Sequence, residues 1–171
     1  MIFYDKYISL KNKFIKKNNG NYFTNIIYCI LLRYFTLGSN NNQLAVSPFK
    51  IESFCKDYGL KFESFASALN HQTEYFCSVY PDIENYFGSF GNFFNTKMIK
   101  GCFNFNPPFQ EDIINFGIKK ILSDLDNSKE NLTFIITIPV WDKKGKKRFN
   151  IIDDYNDFPI IEKIKNSKYL F

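Results

Sequence analysis

Residues 102–138 read CFNFNPPFQEDIINFGIKKILSDLDNSKENLTFIITI, and this stretch determines the predicted fold. Its first four residues form a short strand, and residues 132–138 are a continuous apolar run typical of a parallel strand buried on both faces. Between them, apolar residues recurring every three or four positions predict a helix over about 110–125. Strand, helix and strand in this order make a βαβ unit, which predicts an α/β fold with a parallel sheet.

The tetrapeptide Asn106-Pro107-Pro108-Phe109 separates the first strand from the helix. Its two prolines lack a backbone N–H, so the tetrapeptide fits neither a helix interior nor a central strand. We therefore expect a loop at the carboxyl end of the strand, the edge at which open α/β sheets bind ligands. The plain alternative is a Pro-Pro turn with Phe109 in the core, but the flanking strand and helix favour the functional interpretation.

The tetrapeptide suits methyl transfer to the amino group of a base. The Asn106 side-chain carbonyl and the Pro107 backbone carbonyl are neutral acceptors that can hold the two amino hydrogens. The ring of Phe109 can stack on the base, and the proline rings fix the backbone. Such chemistry relies on positioning and needs no strong general base, in agreement with a chain that has one histidine.

Helices are predicted before the βαβ unit. Residues 23–34 carry one apolar face and are followed by Gly38, which suits a left-handed helix end. Ser47 and Pro48 are a typical N-cap and first-turn pair for a second helix, which Gly59 terminates.

The remaining segments are less regular. Residues 1–22 are polar and basic and fit a short helix or a loose arm, with their lysines interpreted as a solvated face. Residues 60–66 are predicted to be a strand. Asn70 is a good N-cap, which predicts a helix from there to about Tyr80.

Composition indicates a packed globule, with 171 residues of which 45% are hydrophobic and 19% aromatic. No apolar run approaches the roughly 20 residues that span a bilayer, and no secretory signal is present, so we expect a cytoplasmic protein without a membrane partner. The four cysteines and His71 lack the spacing of a zinc site, and no metal is expected. We predict one domain, in which a helical segment, residues 1–59, packs on a core of residues 60–171.

Four stretches carry a family resemblance when taken in order: FESFASALN at 62–70, YPD at 80–82 with YFGS at 86–89, FNPPF at 105–109 and FIITIPVW at 134–141. Together they resemble the catalytic core of the phosphorylated CTD-interacting factor 1-like family, the cap-specific mRNA (2'-O-methyladenosine-N6-)-methyltransferases. Several motifs in one order are more specific than the tetrapeptide alone.

The resemblance implies a Rossmann-like S-adenosylmethionine-dependent methyltransferase core with N-terminal helices and a sheet shortened by the chain's end at Phe171. It implies N6-methylation of the 2'-O-methyladenosine next to the mRNA cap, with S-adenosyl-L-methionine as cofactor and capped mRNA as partner. Residues 106–109 would be the catalytic loop. The predicted cofactor-binding residues are Asn106 and, from the end of the first strand, Phe65, Ala66, Ser67 and Asn70.

Predicted RNA contacts follow the last apolar strand. Phe109 and Trp141 can stack on a base, and the basic run Lys143, Lys144, Lys146, Lys147 and Arg148 can contact the RNA backbone or the cap triphosphate. The alternatives are a solvated turn for the basic run and core closure for Trp141. The net charge of +5 fits a nucleic-acid partner, but the codon bias of an AT-rich genome, for example a viral one, explains the lysines equally well.

Two other functions stay open at this point. The same chemistry could act on adenine in DNA or on internal RNA adenosine. Alternatively, the chain is a catalytically inactive nucleic-acid-binding or scaffolding subunit, or it needs a protein partner that completes the core. The early end at Phe171 and Val140, where an acid commonly precedes the tryptophan, favour inactivity, whereas the intact residues 106–109 count against it. Ala68, where the family usually has proline, predicts a less rigid cofactor loop.

Overall fold

The computed structural model describes residues 4–17, 22–38 and 45–138 as a mixed α/β structure built on a small parallel sheet. The helices of these ranges are α1 Tyr4–Lys17, α2 Phe23–Thr36, α3 Pro48–Tyr58, the short α4 Pro81–Glu84 and α5 Glu111–Asn127. The strands are β1 Leu60–Glu63, β2 Tyr75–Phe76, β3 Gly101–Phe105 and β4 Leu132–Ile136. Within these ranges no helix combines the length and the apolar character that crossing a membrane requires.

The four strands are parallel and lie in the order β2-β1-β3-β4. The chain runs outwards in one direction from β1 to β2 and in the other direction from β3 to β4, so the order reverses between the two central strands. In open parallel sheets such a reversal leaves a crevice outside the carboxyl ends of these strands, where ligands bind. The topology therefore sets the loop that follows β3 beside the loop that follows β1.

Helices cover both faces of the sheet. Phe103 and Phe105 of β3 pack with the buried face of α5 in one cluster. Cys102 packs with Ile51 of α3 in a separate cluster. Neighbouring residues of a strand point to opposite faces, so α5 and α3 lie on opposite sides of β3.

Helix α5 lies closer to β3 than a side chain at residue 117 would allow. A Cβ atom on Gly117 would lie 2.3 Å from the ring of Phe105, which is completely buried. Phe105 ends β3 and directly precedes Asn106. This contact therefore fixes the position of the tetrapeptide relative to α5.

The βαβ unit predicted from residues 102–138 is confirmed by β3, α5 and β4. Two predicted helix ends are also confirmed, because Gly38 and Gly59 have φ values of 67° and 66° after α2 and α3. Ser47 caps α3 and accepts a hydrogen bond from the Lys50 N–H. The prediction that β4 is buried on both faces is wrong: β4 is the outer strand of the described sheet, and its side chains are half-buried or exposed.

The first segment, left open between a helix and a loose arm, is helical from Tyr4 to Lys17. Leu10 and Phe14 of α1 pack with α2 in a cluster that reaches Phe76 of β2. Phe14 also stacks on Phe87, with ring centroids 6.1 Å apart. The two N-terminal helices therefore lie against the β2 side of the structure.

The predicted helix over 70–80 is wrong, and the strand predicted over 60–66 ends early, at Glu63. The Thr73 N–H donates to the Glu63 carboxylate at 2.8 Å rather than to a helical carbonyl. The chain then continues as β2, which pairs with β1. The buried Glu63 carboxylate needs hydrogen-bond donors, and this requirement outweighs the helix-capping preference of Asn70. The local sequence does not reveal the contact.

Candidate active site between two loops

A cavity of about 300 Å³ opens at the carboxyl ends of β1 and β3. One wall is the β1 loop, defined as residues 64–72, and the opposite wall is the β3 loop, residues 106–109. All residues predicted for cofactor binding or catalysis line this one cavity: Phe65, Ala66, Ser67, Asn70, Asn106, Pro107, Pro108 and Phe109.

The β3 loop is short and presents an unpaired amide and a ring. The Gln110 N–H donates to the Pro108 carbonyl at 2.7 Å, which closes a tight turn before α5. The half-buried Asn106 side chain makes no hydrogen bond to another residue of the described ranges. The Phe109 side chain is 40% exposed and lines the cavity, so the alternative in which Phe109 belongs to the core does not hold.

The β1 loop is fixed by hydrogen bonds to both neighbouring strands. The Ser64 N–H donates to a β3 carbonyl at 2.8 Å, and the Ala66 N–H donates to the Cys77 carbonyl, just after β2, at 3.0 Å. Asn70, predicted to cap a helix, closes the loop instead, because its Oδ1 accepts the Ser67 N–H at 2.7 Å. The backbone around Ser67 and Asn70 is therefore held in place without a ligand.

Glu84, at the end of α4, anchors the β1 loop from outside. Its carboxyl group is completely buried, accepts the Ala68 N–H at 2.6 Å and accepts the Tyr34 hydroxyl at 2.9 Å. Burial raises the pKa of Glu84, and these donors oppose that rise. A proline at residue 68 has no N–H to give, so the departure from the family pattern at Ala68 supplies the hydrogen bond that ties the loop to Glu84.

His71 connects the β1 loop to α1. Its Nδ1 lies 3.0 Å from the Ser67 carbonyl, which can only accept, and 3.3 Å from the Lys6 ammonium, which has the His71 carbonyl as a closer acceptor. We therefore assign the proton to Nδ1, which leaves Nε2 to accept from the Lys13 ammonium at 3.1 Å. The Lys6 ammonium donates to the His71 carbonyl at 2.7 Å. Burial, and then the two lysines, lower the pKa of His71 to about 3. The interpretation of the first segment's lysines as a solvated face is therefore wrong for Lys13.

The same burial acts on Lys6. Its pKa falls to about 8 because the ammonium is desolvated and lies near Lys13. The imidazole itself stacks on Phe76, with ring centroids 4.5 Å apart. His71 is thus a neutral packing group between α1 and the loop.

The described part of the cavity wall is uncharged. Its lining residues carry amides, hydroxyls, a thiol and aromatic rings, and none of these residues has an ionised side chain. Burial raises the pKa of Cys77 to about 11, which keeps that thiol protonated. Ser64 lines the cavity, but its hydroxyl is completely buried and has no hydrogen-bond partner among the described residues. An unpaired buried hydroxyl of this kind destabilises the folded protein.

Part of the wall escaped prediction. Tyr34 was assigned only to the apolar face of α2, although its hydroxyl reaches Glu84. The region around Asn92 and Phe93 was read as irregular. Ser78 and Val79 follow β2. Because ligands bind at the carboxyl ends of parallel strands, these two residues would have been predicted had β2 been recognised. The unpredicted lining residues are Tyr34, Ser64, Cys77, Ser78, Val79, Asn92, Phe93 and Gln110.

The other predicted RNA contacts lie outside the described residues; these are Trp141, Lys143, Lys144, Lys146, Lys147 and Arg148. Val140 lies outside them as well. In the part of the chain that is described, no three His, Cys, Asp or Glu side chains come together as metal ligands would.

Comparison with known proteins gives a family match over nearly the whole chain. Residues 3–169 match the family described as "Phosphorylated CTD interacting factor 1 WW domain". Two curated relatives, from Mus musculus and Homo sapiens, are both named "mRNA (2'-O-methyladenosine-N(6)-)-methyltransferase". Each is 34% identical over 121 residues, which cover 67% of this chain. The matched region is 17% of the length of either relative.

Proposed function

The chain belongs to the phosphorylated CTD interacting factor 1 family, and from that premise we propose that it is an RNA adenosine N6-methyltransferase dependent on S-adenosyl-L-methionine. Its proposed substrate is the 2'-O-methyladenosine next to the cap of mRNA. One observation carries the proposal: the β1 loop and the β3 loop, predicted for different roles, line a single cavity.

The proposed fold is a Rossmann-like methyltransferase core. The parallel order β2-β1-β3-β4, with helices on both faces, supports it, because the order reversal lies beside the cavity. The division into a helical segment, residues 1–59, and a core, residues 60–171, remains part of this proposal. So does a protein partner that completes the core.

In the proposed reaction the β3 loop holds the target base. The Asn106 side-chain carbonyl and the Pro107 carbonyl each accept one hydrogen of the adenine amino group, which orients the nitrogen lone pair. Phe109 stacks on the ring of the base. Both acceptors are neutral, and the described cavity wall offers no ionised base, so the residues contribute positioning rather than proton abstraction.

The β1 loop is proposed to hold the cofactor. When bound, S-adenosyl-L-methionine supplies an electrophilic methyl group on its sulfonium. The wall fits such a ligand, because Ser67 and Asn70 offer polar groups and Phe65 offers an apolar ring. Asn106 borders both proposed sites.

The basic run at residues 143–148 and Trp141 are proposed RNA contacts, and the cytoplasm is the proposed location. These two proposals rest on the sequence alone.

The test is methyl transfer from labelled S-adenosyl-L-methionine to capped RNA that begins with 2'-O-methyladenosine. Uncapped RNA, DNA and an Asn106→Ala, Phe109→Ala double variant run alongside. We expect cap-dependent transfer that the double variant loses. Transfer without cap preference would shift the substrate to internal RNA or DNA adenine. Absence of both transfer and calorimetric cofactor binding would indicate an inactive subunit or a missing partner.

A further inference from the structure

We propose that Phe94 forms a second nucleobase-stacking site at the rim of the cavity. Its ligand would be a base that adjoins the target adenosine in the RNA. The inference rests on the proposed function to the extent that it assumes a nucleic-acid substrate, and it adds a substrate contact outside the motifs that led to that function.

The position of Phe94 follows from a short 3-10 turn, Phe93–Asn95. Phe93 points inwards, is 2% exposed and lines the cavity, whereas Phe94 points outwards and is 40% exposed. The ring of Phe94 meets the ring of Phe65 edge-on, with centroids 5.9 Å apart and planes at 73°. Phe65 lines the cavity, so Phe94, which does not line it, packs directly against a ring of the cavity wall.

The turn holds Phe94 in a fixed orientation. The Asn92 side-chain carbonyl accepts the Phe94 N–H at 2.8 Å, and the Thr96 hydroxyl donates to the Asn92 carbonyl at 2.9 Å. Phe93 supports the exposed ring from below, with centroids 5.5 Å apart. A ring that is ordered before binding loses little entropy when a ligand stacks on it.

The chemistry of the rim favours a base over a phosphate. Phe94 and Phe109 are each 40% exposed and lie next to the cavity-lining amides of Asn92 and Gln110. Rings and amides recognise the flat face and the polar edge of a nucleobase, and stacking accepts every base because each has a π-face. With Phe109 assigned to the target adenine, Phe94 remains for a neighbouring base.

Two bases adjoin the proposed target, the guanine of the cap and the base on the 3' side. Both bases can stack in the same way, so RNA substrates that lack one base or the other are needed to tell them apart. The substrate set is a capped decamer beginning with 2'-O-methyladenosine, the same RNA with an abasic second nucleotide, and the same RNA without a cap.

The test compares Phe94→Ala with Phe94→Tyr, which keeps the ring, and with Phe49→Ala, which removes a 76% exposed ring on α3 that does not line the cavity. We measure KM and kcat for the RNA, the Kd of the RNA by fluorescence anisotropy, and the thermal unfolding midpoint. We expect Phe94→Ala to raise KM and Kd about tenfold with kcat little changed. Phe94→Tyr and Phe49→Ala should stay near the wild-type values.

The substrate arms identify the stacked base. If Phe94 stacks on the 3' base, the effect of Phe94→Ala disappears on the abasic RNA; if it stacks on the cap guanine, the effect disappears on the uncapped RNA. An equal effect on all three RNAs, no effect on RNA binding, or a lower unfolding midpoint without a change in Kd would overturn the inference. Binding is measured without turnover, so a Phe94-dependent Kd in the absence of methyl transfer would retain the stacking site and reject the proposed function.

Discussion

The two loops that enclose the cavity are held in opposite ways. The β1 loop is tied by hydrogen bonds to groups distant in sequence, above all the buried Glu84, and His71 links it to α1. The β3 loop is shaped by its own prolines and by the packing of Phe105 beneath it. The cofactor side of the proposed site therefore depends on the N-terminal helices, whereas the base side depends on the βαβ unit alone.

Replacing Asn106 with alanine should impair the positioning of the target base more than the binding of the cofactor. We expect methyl transfer to fall by at least about 100-fold, because the loss of one oriented acceptor at the reacting group costs on this scale. The unfolding temperature should change little, since the Asn106 side chain makes no described hydrogen bond, and the cofactor Kd should rise by less than the rate of methyl transfer falls. Asn12→Ala, exposed on α1, is the control. Equal losses of activity in both variants would argue against the assigned role.

Glu84→Ala should weaken cofactor binding, because it removes the anchor of the β1 loop. It removes the acceptor of the Tyr34 hydroxyl and leaves the Ala68 N–H unpaired in the interior, the latter at a cost of about 1–3 kcal/mol. We expect a lower free energy of unfolding in urea and weaker cofactor binding by calorimetry. Glu84→Gln keeps an acceptor for the Ala68 N–H and should recover most of both losses. If Gln behaved like Ala, the carboxylate charge rather than the hydrogen bonds would be responsible.

Gly117→Ala tests the packing beneath the β3 loop. A methyl group 2.3 Å from the Phe105 ring forces helix and strand apart, which we expect to destabilise the protein by about 1–3 kcal/mol despite the better helix propensity of alanine. Chemical denaturation measures this change. Phe116→Ala, at a 59% exposed position of the same helix, should cost clearly less. A Gly117→Ala protein as stable as the wild type would mean that the helix–strand distance adjusts freely.

The smallest expected effect is a dependence of the free energy of unfolding on pH, which arises from His71 in the β1 loop. The pKa of His71 is about 3 in the folded protein and about 6.5 when unfolded. The unfolded state therefore binds the proton first, and the stability contributed by the neutral imidazole is complete above pH 6.5 and is lost as the pH falls towards 3. Between pH 7.5 and 5.5 we expect this group to cost about 1.4 kcal/mol.

Urea unfolding of the wild type and of His71→Phe at pH 7.5 and 5.5 measures the contribution of His71 to the free energy of unfolding. Phenylalanine keeps a ring against Phe76 but does not titrate. His71 is the chain's single histidine, so the difference between the two pH dependences isolates it, and other titrating groups such as Glu84 cancel. Parallel pH dependences in the two proteins would show that His71 is not buried as a neutral group.

Local patterns predicted one of these loops far better than the other. The strand, loop, helix and strand around residues 106–109 follow from periodicity and proline chemistry, and that prediction is confirmed by the fold. Around residues 60–80 the local signals misled: Asn70 looks like an N-cap, yet its amide closes a loop. The carboxylates of Glu63 and Glu84 decide the backbone there, and their donors come from residues up to 50 positions away.

The candidate site divides in the same way. Residues in motifs, such as Ser67 and Asn106, were found in advance because strand ends and proline loops have recognisable spacing. Tyr34 and Asn92 were not, because only the packing of α2 and of a 3-10 turn brings them to the cavity. No local pattern encodes that packing.

The buried thiol of Cys77 makes the cavity chemically observable. Cys77 is 1% exposed, and at neutral pH its raised pKa leaves almost none of it as reactive thiolate. Alkylating reagents can modify it only during transient openings of the wall, so its labelling rate reports how often the site opens. Cys29 and Cys55 are exposed and would serve as internal standards in the same spectrum. A small molecule that occupies the cavity would slow the modification of Cys77 alone, which turns mass spectrometry into a screen for ligands that needs no knowledge of the reaction.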